Sequence, residues 1–190
     1  MIVSFATMAQ SQRAVMEQLV RNGLLACAPQ AVVARQGWAF VGERNLYVLA
    51  VGKAALTMAA GVPAHVRLTD GLAIEPDAGD MPGFEVVVSS HPFADERSIV
   101  AAQRARNFVD SVPADAVLLV LISGGTSALL AEPRGVSLAG KRAVVDAVMA
   151  AGAPIAALNT VRTALSSIKG GGLLRNCRAP VMTWAISDVP

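Results

Sequence analysis

Ala116-Val117-Leu118-Leu119-Val120-Leu121-Ile122, followed at once by Ser123-Gly124-Gly125-Thr126-Ser127, is the stretch on which the reading of the fold turns. Seven apolar residues in a row leave no polar side for water. A strand with one solvated face alternates apolar and polar residues, whereas a strand covered on both faces reads as a continuous apolar run. The segment therefore predicts a central strand of a parallel sheet, with helices on both sides.

The flanking sequence agrees. Residues 12–27 read as a helix with Val15 and Leu19 on an apolar stripe, residues 45–51 as a second continuous apolar strand, and residues 54–60 as a helix after it. Short strands are expected at residues 66–68 and 85–88, around a turn-rich segment at 70–83. Residues 95–112 read as a helix whose first turn carries Asp95 and Glu96, where the helix dipole favours negative charge. A helix at residues 138–151 and a strand at 181–186 follow. Strands that alternate with helices of this length predict an α/β fold with a doubly wound, mostly parallel sheet. No internal repeat, low-complexity tract or linker interrupts it.

Composition narrows the classes of function. The 190 residues suffice for one good core and are 54% hydrophobic, 4% aromatic and 16% charged, with a mean hydropathy of +0.51. The net charge of +2 comes from scattered basic residues, which excludes a nucleic-acid footprint. The strongest apolar run is too short for a membrane span, which needs roughly 20 residues. Cys27 and Cys177 have no ligand-spaced partner and read as reduced core thiols. The first residues lack a basic region followed by a long apolar segment. These features predict a soluble cytoplasmic protein acting on small molecules, with homo-oligomer formation left open.

In doubly wound sheets, ligands bind outside the carboxyl ends of the strands. Gly52-Lys53 follows the strand at 45–51, where Lys53 would stand beside free N–H donors of a new helix and attract phosphate or carboxylate. It is not a P-loop, because Tyr47 and Ala54 occupy positions that a P-loop gives to Gly and Ser or Thr. The alternative is a plain turn with a solvated lysine. Ser123, Gly124, Gly125, Thr126 and Ser127 combine two glycines with three hydroxyls and can form an anion nest, or a Gly-rich turn that caps a helix. Asp188 follows the strand at 181–186; its carboxylate can hold Mg²⁺, accept a substrate proton or cap a helix. His91, before Pro92, is either a substrate-shell residue or a neutral histidine bonded to backbone.

Residues 159–172 read as one capped helix. Asn159 suits the N-cap, Val161, Leu165 and Ile168 face a core, and Arg162, Ser166 and Lys169 line the next face, with glycines ending it. Two cations on one face make either a solvated surface or an anion site.

Five segments in this order resemble the glycerate 2-kinases of the MOFRL-containing type, a family also known as TtuD-like hydroxypyruvate reductases. They are Val51-Gly52-Lys53-Ala54-Ala55; Ser90-His91-Pro92 with Asp95-Glu96; Ser123 to Leu129; Asn159-Thr160-Val161-Arg162 through Lys169-Gly170-Gly171; and Ser187-Asp188-Val189-Pro190. The resemblance implies a Rossmann-like domain that phosphorylates D-glycerate at its 2-hydroxyl with ATP and Mg²⁺. The family's active-site lysine falls on Lys53, its strand-end aspartate on Asp188 and its Gly-rich loop on residues 123–127. In that reaction Lys53, the loop and Lys169 would hold phosphate, and Arg162 would grip the glycerate carboxylate bidentately. Asn159 and His91 would complete the substrate shell, and Asp188 would bind Mg²⁺ or act as base.

The chain departs from the family at Thr163-Ala164, where relatives carry Lys-His. It also ends where relatives continue with Gly-Asp and a second domain. The resemblance thus implies an amino-terminal portion, residues 1–190, without the carboxy-terminal MOFRL domain and with little kinase activity of its own. A hydroxypyruvate reductase and a non-catalytic binding protein or inactive remnant are the alternatives. No G-x-G-x-x-G follows any strand, which weighs against a dinucleotide-dependent reductase.

Overall fold

In the computed structural model, the backbone is described for residues 5–187 and side chains for residues 12–187. Asp188 lies outside the described residues. The five strands are β1 (Leu46–Val51), β2 (Leu68–Glu75), β3 (Phe84–Val88), β4 (Val117–Ile122) and β5 (Val181–Ala185). They form one all-parallel sheet in the order β3-β2-β1-β4-β5. The run that opened the sequence reading is β4, interior to the sheet and paired with β1 from Leu46↔Val117 to Val51↔Ile122.

The two-residue period of the strands divides two cores. Leu49 and Val51 of β1 join Leu118 and Val120 of β4 on one face, while Val48, Ala50, Leu119 and Leu121 point to the other. The first face is covered by α4 (Glu96–Ser111) through Ala101, Ala102, Ala105 and Phe108. The second is covered by α2 (Pro29–Ala34) through Val33 and by α3 (Ala55–Ala59) through Met58 and Ala59. Trp38 and Phe40 pack there against Trp184 of β5, the Trp38 and Trp184 rings edge-to-face with centroids 5.0 Å apart. Helices on both faces of a parallel sheet are what the unbroken apolar strand requires.

Asp95 caps α4, accepting from the Arg97 N–H at 2.9 Å while Ser98 Oγ accepts from the Asp95 N–H. The remaining helices are α1 (Phe5–Cys27), α5 (Thr126–Leu129), α6 (Leu138–Ala150) and α7 (Ile155–Ala164), with a 3₁₀ turn at Gly172–Leu174. The stripe expected on α1 exists, but Val15, Met16, Leu19, Val20 and Leu24 are all more than half exposed. Cys27 is exposed as well, so it is a free thiol outside the core. No helix among the described residues is long and apolar enough to cross a membrane.

Two local readings are corrected. The segment at 70–83 is not all turn: β2 extends to Glu75 because Leu72, Ala73 and Ile74 are fully buried against β1 and β3. Gly71 belongs to that strand because the Phe84 ring lies 2.5 Å from where a Cβ would stand. The helix expected at 159–169 is displaced. It begins after Pro154 and ends at Ala164, so Asn159 is interior to α7 and caps nothing. Beyond Leu165 the backbone pairs with residues 132–134: Arg134 N–H donates to Leu165 O, Ser167 N–H to Glu132 O, and Ser166 bridges Pro133. Burying Ser166 in that bridge draws the chain out of the helix. Lys169 therefore comes off a loop, not off the Arg162 helix face.

Candidate anion site at the switch point of the sheet

Strand order reverses between β1 and β4, and the crevice outside their carboxyl ends is where doubly wound sheets bind ligands. The turns that leave these two strands interlock there. Gly52 has φ 127°, and a Cβ on it would lie 2.7 Å from Ser123 O, so only glycine lets β1 pass beneath the second turn. Lys53 N–H then donates to Gly124 O at 2.9 Å, and Ala54 N–H to Ser123 Oγ at 3.1 Å.

These bonds correct the expectation of free donors beside Lys53. The next two N–H groups are engaged as well: Ala55 with Gly52 O at 3.1 Å and Leu56 with Glu75 Oε1 at 2.7 Å. An anion is already present at the start of α3, and it is Glu75. Replacing Glu75 with alanine is expected to cost on the order of 1–2 kcal/mol by orphaning the Leu56 N–H. A urea midpoint equal to that of the parent protein would show the cap to be dispensable.

The second turn keeps open donors. Gly125 has φ 90°, and no acceptor among the described residues faces the N–H groups of Gly124 or Gly125. Two of the three hydroxyls serve the fold: Ser123 Oγ accepts from Ala54 N–H, and Thr126 Oγ1 donates to the Val51 or Ser123 carbonyl. The third, Ser127 Oγ, accepts from Lys169 Nζ at 2.8 Å.

Two sequence candidates stand directly over Gly125. Its absent Cβ would lie 2.9 Å from His91 Cδ2 and 3.3 Å from Lys53 Cγ. Lys53 and His91 are both exposed, and Lys53 has no ion-pair partner among the described residues. Gly52, Lys53, His91 and residues 123–127 thus meet at one end of the sheet, joined by Lys169.

Arg162, half-buried on α7, lies within electrostatic reach of Lys169. Burial first, and then the Arg162 charge, hold the Lys169 ammonium below the usual lysine range. Lys141 of α6, which the sequence reading did not single out, is lowered by burial and then by Lys169 and Arg162. No carboxylate pairs with any of the three among the described residues. Nothing in the local sequence marks Lys141, because its neighbours come from α7 and the following loop. Asn159 lies one turn before Arg162 on the same face of α7, exposed and with no side-chain hydrogen bond or ion pair to the rest of the site among the described residues.

Partly buried cations without counter-charge disfavour the folded state. A lysine depressed in the fold imposes this penalty fully below its folded pKa, and the penalty disappears as pH rises toward the unfolded value of about 10.4. Lys169→Met is therefore expected to stabilise the anion-free protein at neutral pH by about 0.5–2 kcal/mol. A lower melting temperature would mean that the Ser127 bond outweighs the repulsion.

Beside Lys169 a cavity of about 250 Å³ opens on the α4 face of the sheet, lined by Leu49, Val51, Val120, Ile122, Leu173 and Leu174. Thr126 and Thr183 add the hydroxyls in its wall.

Residues 8–190 match the family model described as a domain of unknown function, DUF4147. The chain belongs to that family. Among its relatives is a putative hydroxypyruvate reductase of Agrobacterium vitis, 42% identical over 75% of this chain and 34% of that protein. A glycerate 2-kinase of Pyrococcus horikoshii is 34% identical over 81% of this chain and 36% of that protein. The crystal structure of a glycerate kinase from Thermotoga maritima superposes with a TM-score of 0.84 at 29% identity, over 95% of this chain and 45% of that one. This DUF4147 chain thus spans about a third of the length of the curated relatives it matches. The resemblance read from the five segments is that of this family, and its α/β sheet is that of the glycerate kinase structures.

Proposed function

We propose that this domain carries the phosphate-binding side of an ATP-dependent kinase that phosphorylates D-glycerate at the 2-hydroxyl to give 2-phosphoglycerate, in the cytoplasm. The observation that supports it best is the meeting of Lys53 and His91 over Gly125, beside two N–H groups at the switch point that have no acceptor among the described residues. Phosphoryl transfer needs positioning and charge neutralisation more than covalent chemistry. In this reading Lys53 offsets phosphate charge as a point cation, and the Gly124 and Gly125 N–H groups donate to phosphate oxygens. Lys169 adds a cation from the loop after α7, while the Arg162 fork takes the glycerate carboxylate. His91 and Asn159 border the acceptor.

Mg²⁺ fits the reaction, but the described residues contribute no cluster of His, Cys, Asp or Glu able to hold a metal. The nearby strand-end carboxylate of Glu75 is engaged by Leu56. Metal binding and base catalysis are assigned here to Asp188 from the family resemblance alone, and no step is routed through the metal.

The names of several relatives favour hydroxypyruvate reduction as a second reading. Against it stands the first β–α turn, where a dinucleotide's pyrophosphate would need the N–H groups that Gly124, Ser123, Gly52 and Glu75 occupy. The deciding experiment supplies a full-length version of the protein with D-glycerate, ATP and Mg²⁺ in one assay and with hydroxypyruvate and NADH or NADPH in another. ADP release dependent on glycerate is the expected result. Oxidation of the nicotinamide without ADP release would reverse the assignment.

A further inference from the structure

The two halves of the candidate site stand on differently held parts of the chain. Lys53, His91 and the 124–125 turn lie at the end of the sheet, whereas Asn159 and Arg162 are carried by the hairpin of α6 and α7. The body is well packed: α4 buries Ser98, Ala101, Ala102, Ala105, Phe108 and Val109. By contrast, α6 has no fully buried residue and α7 has only Leu158. Val144, Met149 and Ile155 stay exposed, so apolar burial does little to hold the hairpin down. Among the described residues, no hydrogen bond or ion pair of residues 138–164 reaches beyond residues 137–166. Two contacts brace it from outside. Thr163 Cγ2 lies 3.2 Å from where a Cβ on Gly170 would stand, and the Arg142 guanidinium lies 4.7 Å from the centroid of the Phe93 ring.

The hairpin leaves the body through a tied neck. Arg134 N–H donates to Leu165 O at 3.2 Å and Ser167 N–H to Glu132 O at 2.9 Å, and Glu132 pairs with Arg106 of α4. Just outside the neck, Gly135 has φ 70° with nothing within 4 Å of its absent Cβ, so the entering chain has room to turn. Lys169 comes after the neck and stays with the body on Ser127. The neck thus separates Lys53 and Lys169 on the body from Arg162 on the hairpin. Like charges on the two parts repel, and an anion between them draws the parts together. A ligand shifts such an equilibrium only through contacts that one state offers and the other lacks. An anion held from both sides has them only when the hairpin is down.

We propose that residues 136–164 form a lid that closes over the switch point, with Arg142 on Phe93 as its latch. Phe93 stands two positions after His91, so the latch holds α6 against the loop that borders Gly125. Both latch side chains are more than half exposed, and an exposed cation–π contact is weak enough to release. The use of the lid in keeping water from phosphoryl transfer rests on the kinase reading, but its motion does not.

Hydrogen exchange followed by mass spectrometry on the purified 190-residue protein tests this, with inorganic phosphate as the probe. Without phosphate, the amides of α6 and α7 are expected to exchange about tenfold faster than those of α4, or more. Saturating phosphate is expected to slow them about fivefold and to leave α4 within about twofold. Phe93→Ala is expected to speed exchange in α6 about two- to fivefold with α4 unchanged, and Phe93→Trp to restore the parent rate. Arg142→Ala is expected to match Phe93→Ala, and the double variant to add nothing further. Exchange in α6 as slow as in α4, or no response of α6 to phosphate, would overturn the lid. If Phe93→Ala leaves α6 unchanged, or accelerates α4 equally, the latch is not there. Slowing by phosphate in a protein whose full-length version does not phosphorylate glycerate would uphold the lid and sink the kinase reading instead.

Discussion

In a full-length version of the protein, Lys53→Ala is expected to lower turnover of D-glycerate by about a hundredfold to a thousandfold, a loss of roughly 2.7–4 kcal/mol of transition-state stabilisation. The size follows from position. The aliphatic stem of Lys53 is held against Gly125 at the switch point, and its ammonium has no carboxylate among the described residues to neutralise it. Its full charge is therefore available to a transferring phosphoryl group. Lys53→Arg is expected to recover only part of the rate, since a planar fork replaces a compact point charge in a crowded turn. The measurement is kcat and kcat/KM in a coupled assay beside the parent protein. A loss below about threefold, or roughly 0.7 kcal/mol, would make Lys53 a solvated surface residue and remove the centre of the proposed site.

Gly52→Ala is expected to be the most destabilising small change at this end of the sheet, by on the order of 3–5 kcal/mol. Two independent costs combine. The φ of 127° is open to glycine and strained for alanine, and the added methyl would sit 2.7 Å from Ser123 O and 2.8 Å from Ser123 C. Backbone cannot step aside as a flexible side chain can, so β1 and β4 would have to part where their turns interlock. For a protein of this size the melting temperature would fall by roughly 10 °C. Gly135→Ala provides the comparison: its φ of 70° is also positive, but nothing lies within 4 Å of the added methyl. That change is expected to cost only about 1 kcal/mol. Equal shifts in the two variants would mean that φ alone matters and that the close approach to Ser123 does not.

The glycines at 52 and 125 illustrate how far local sequence could be read. Gly52-Lys53 and residues 123–127 were recognisable as strand-end turns because each follows an apolar run that can only be a buried parallel strand. What the turns do with their hydrogen bonds was not recognisable. Ser123, 69 positions beyond Ala54 in the chain, accepts its N–H, and Glu75 caps a helix 19 positions earlier. Both partners arrive through the sheet register that aligns Val51 with Ile122 and with Ile74. The same register turns the apparent nest at the start of α3 into a closed turn and leaves the Gly124 and Gly125 N–H groups as the donors without an acceptor among the described residues.

The displaced α7 has a similar cause. Spacing of Val161, Leu165 and Ile168 suits a helix, and over a few turns propensity differences are small. Pairing of residues 165–167 with residues 132–134 outweighs them and carries Lys169 to Ser127. The short α2 left no period to read, and its place over the sheet depends on Val33 reaching α3 and β1. Lys141 shows the limit most plainly, since its relation to Arg162 and Lys169 exists only where α6, α7 and the following loop come together.

The sequence by itself determined the class of fold, the interior place of β4 and the strand ends at which chemistry belongs. Those depend on apolar periodicity, which acts between residues a few positions apart. Tertiary structure alone decided which N–H groups remain open, which cations lie together and where the apolar cavity opens. Those depend on register between distant strands and on helix-to-loop contacts, which the burial of the two cores sets and no local pattern records.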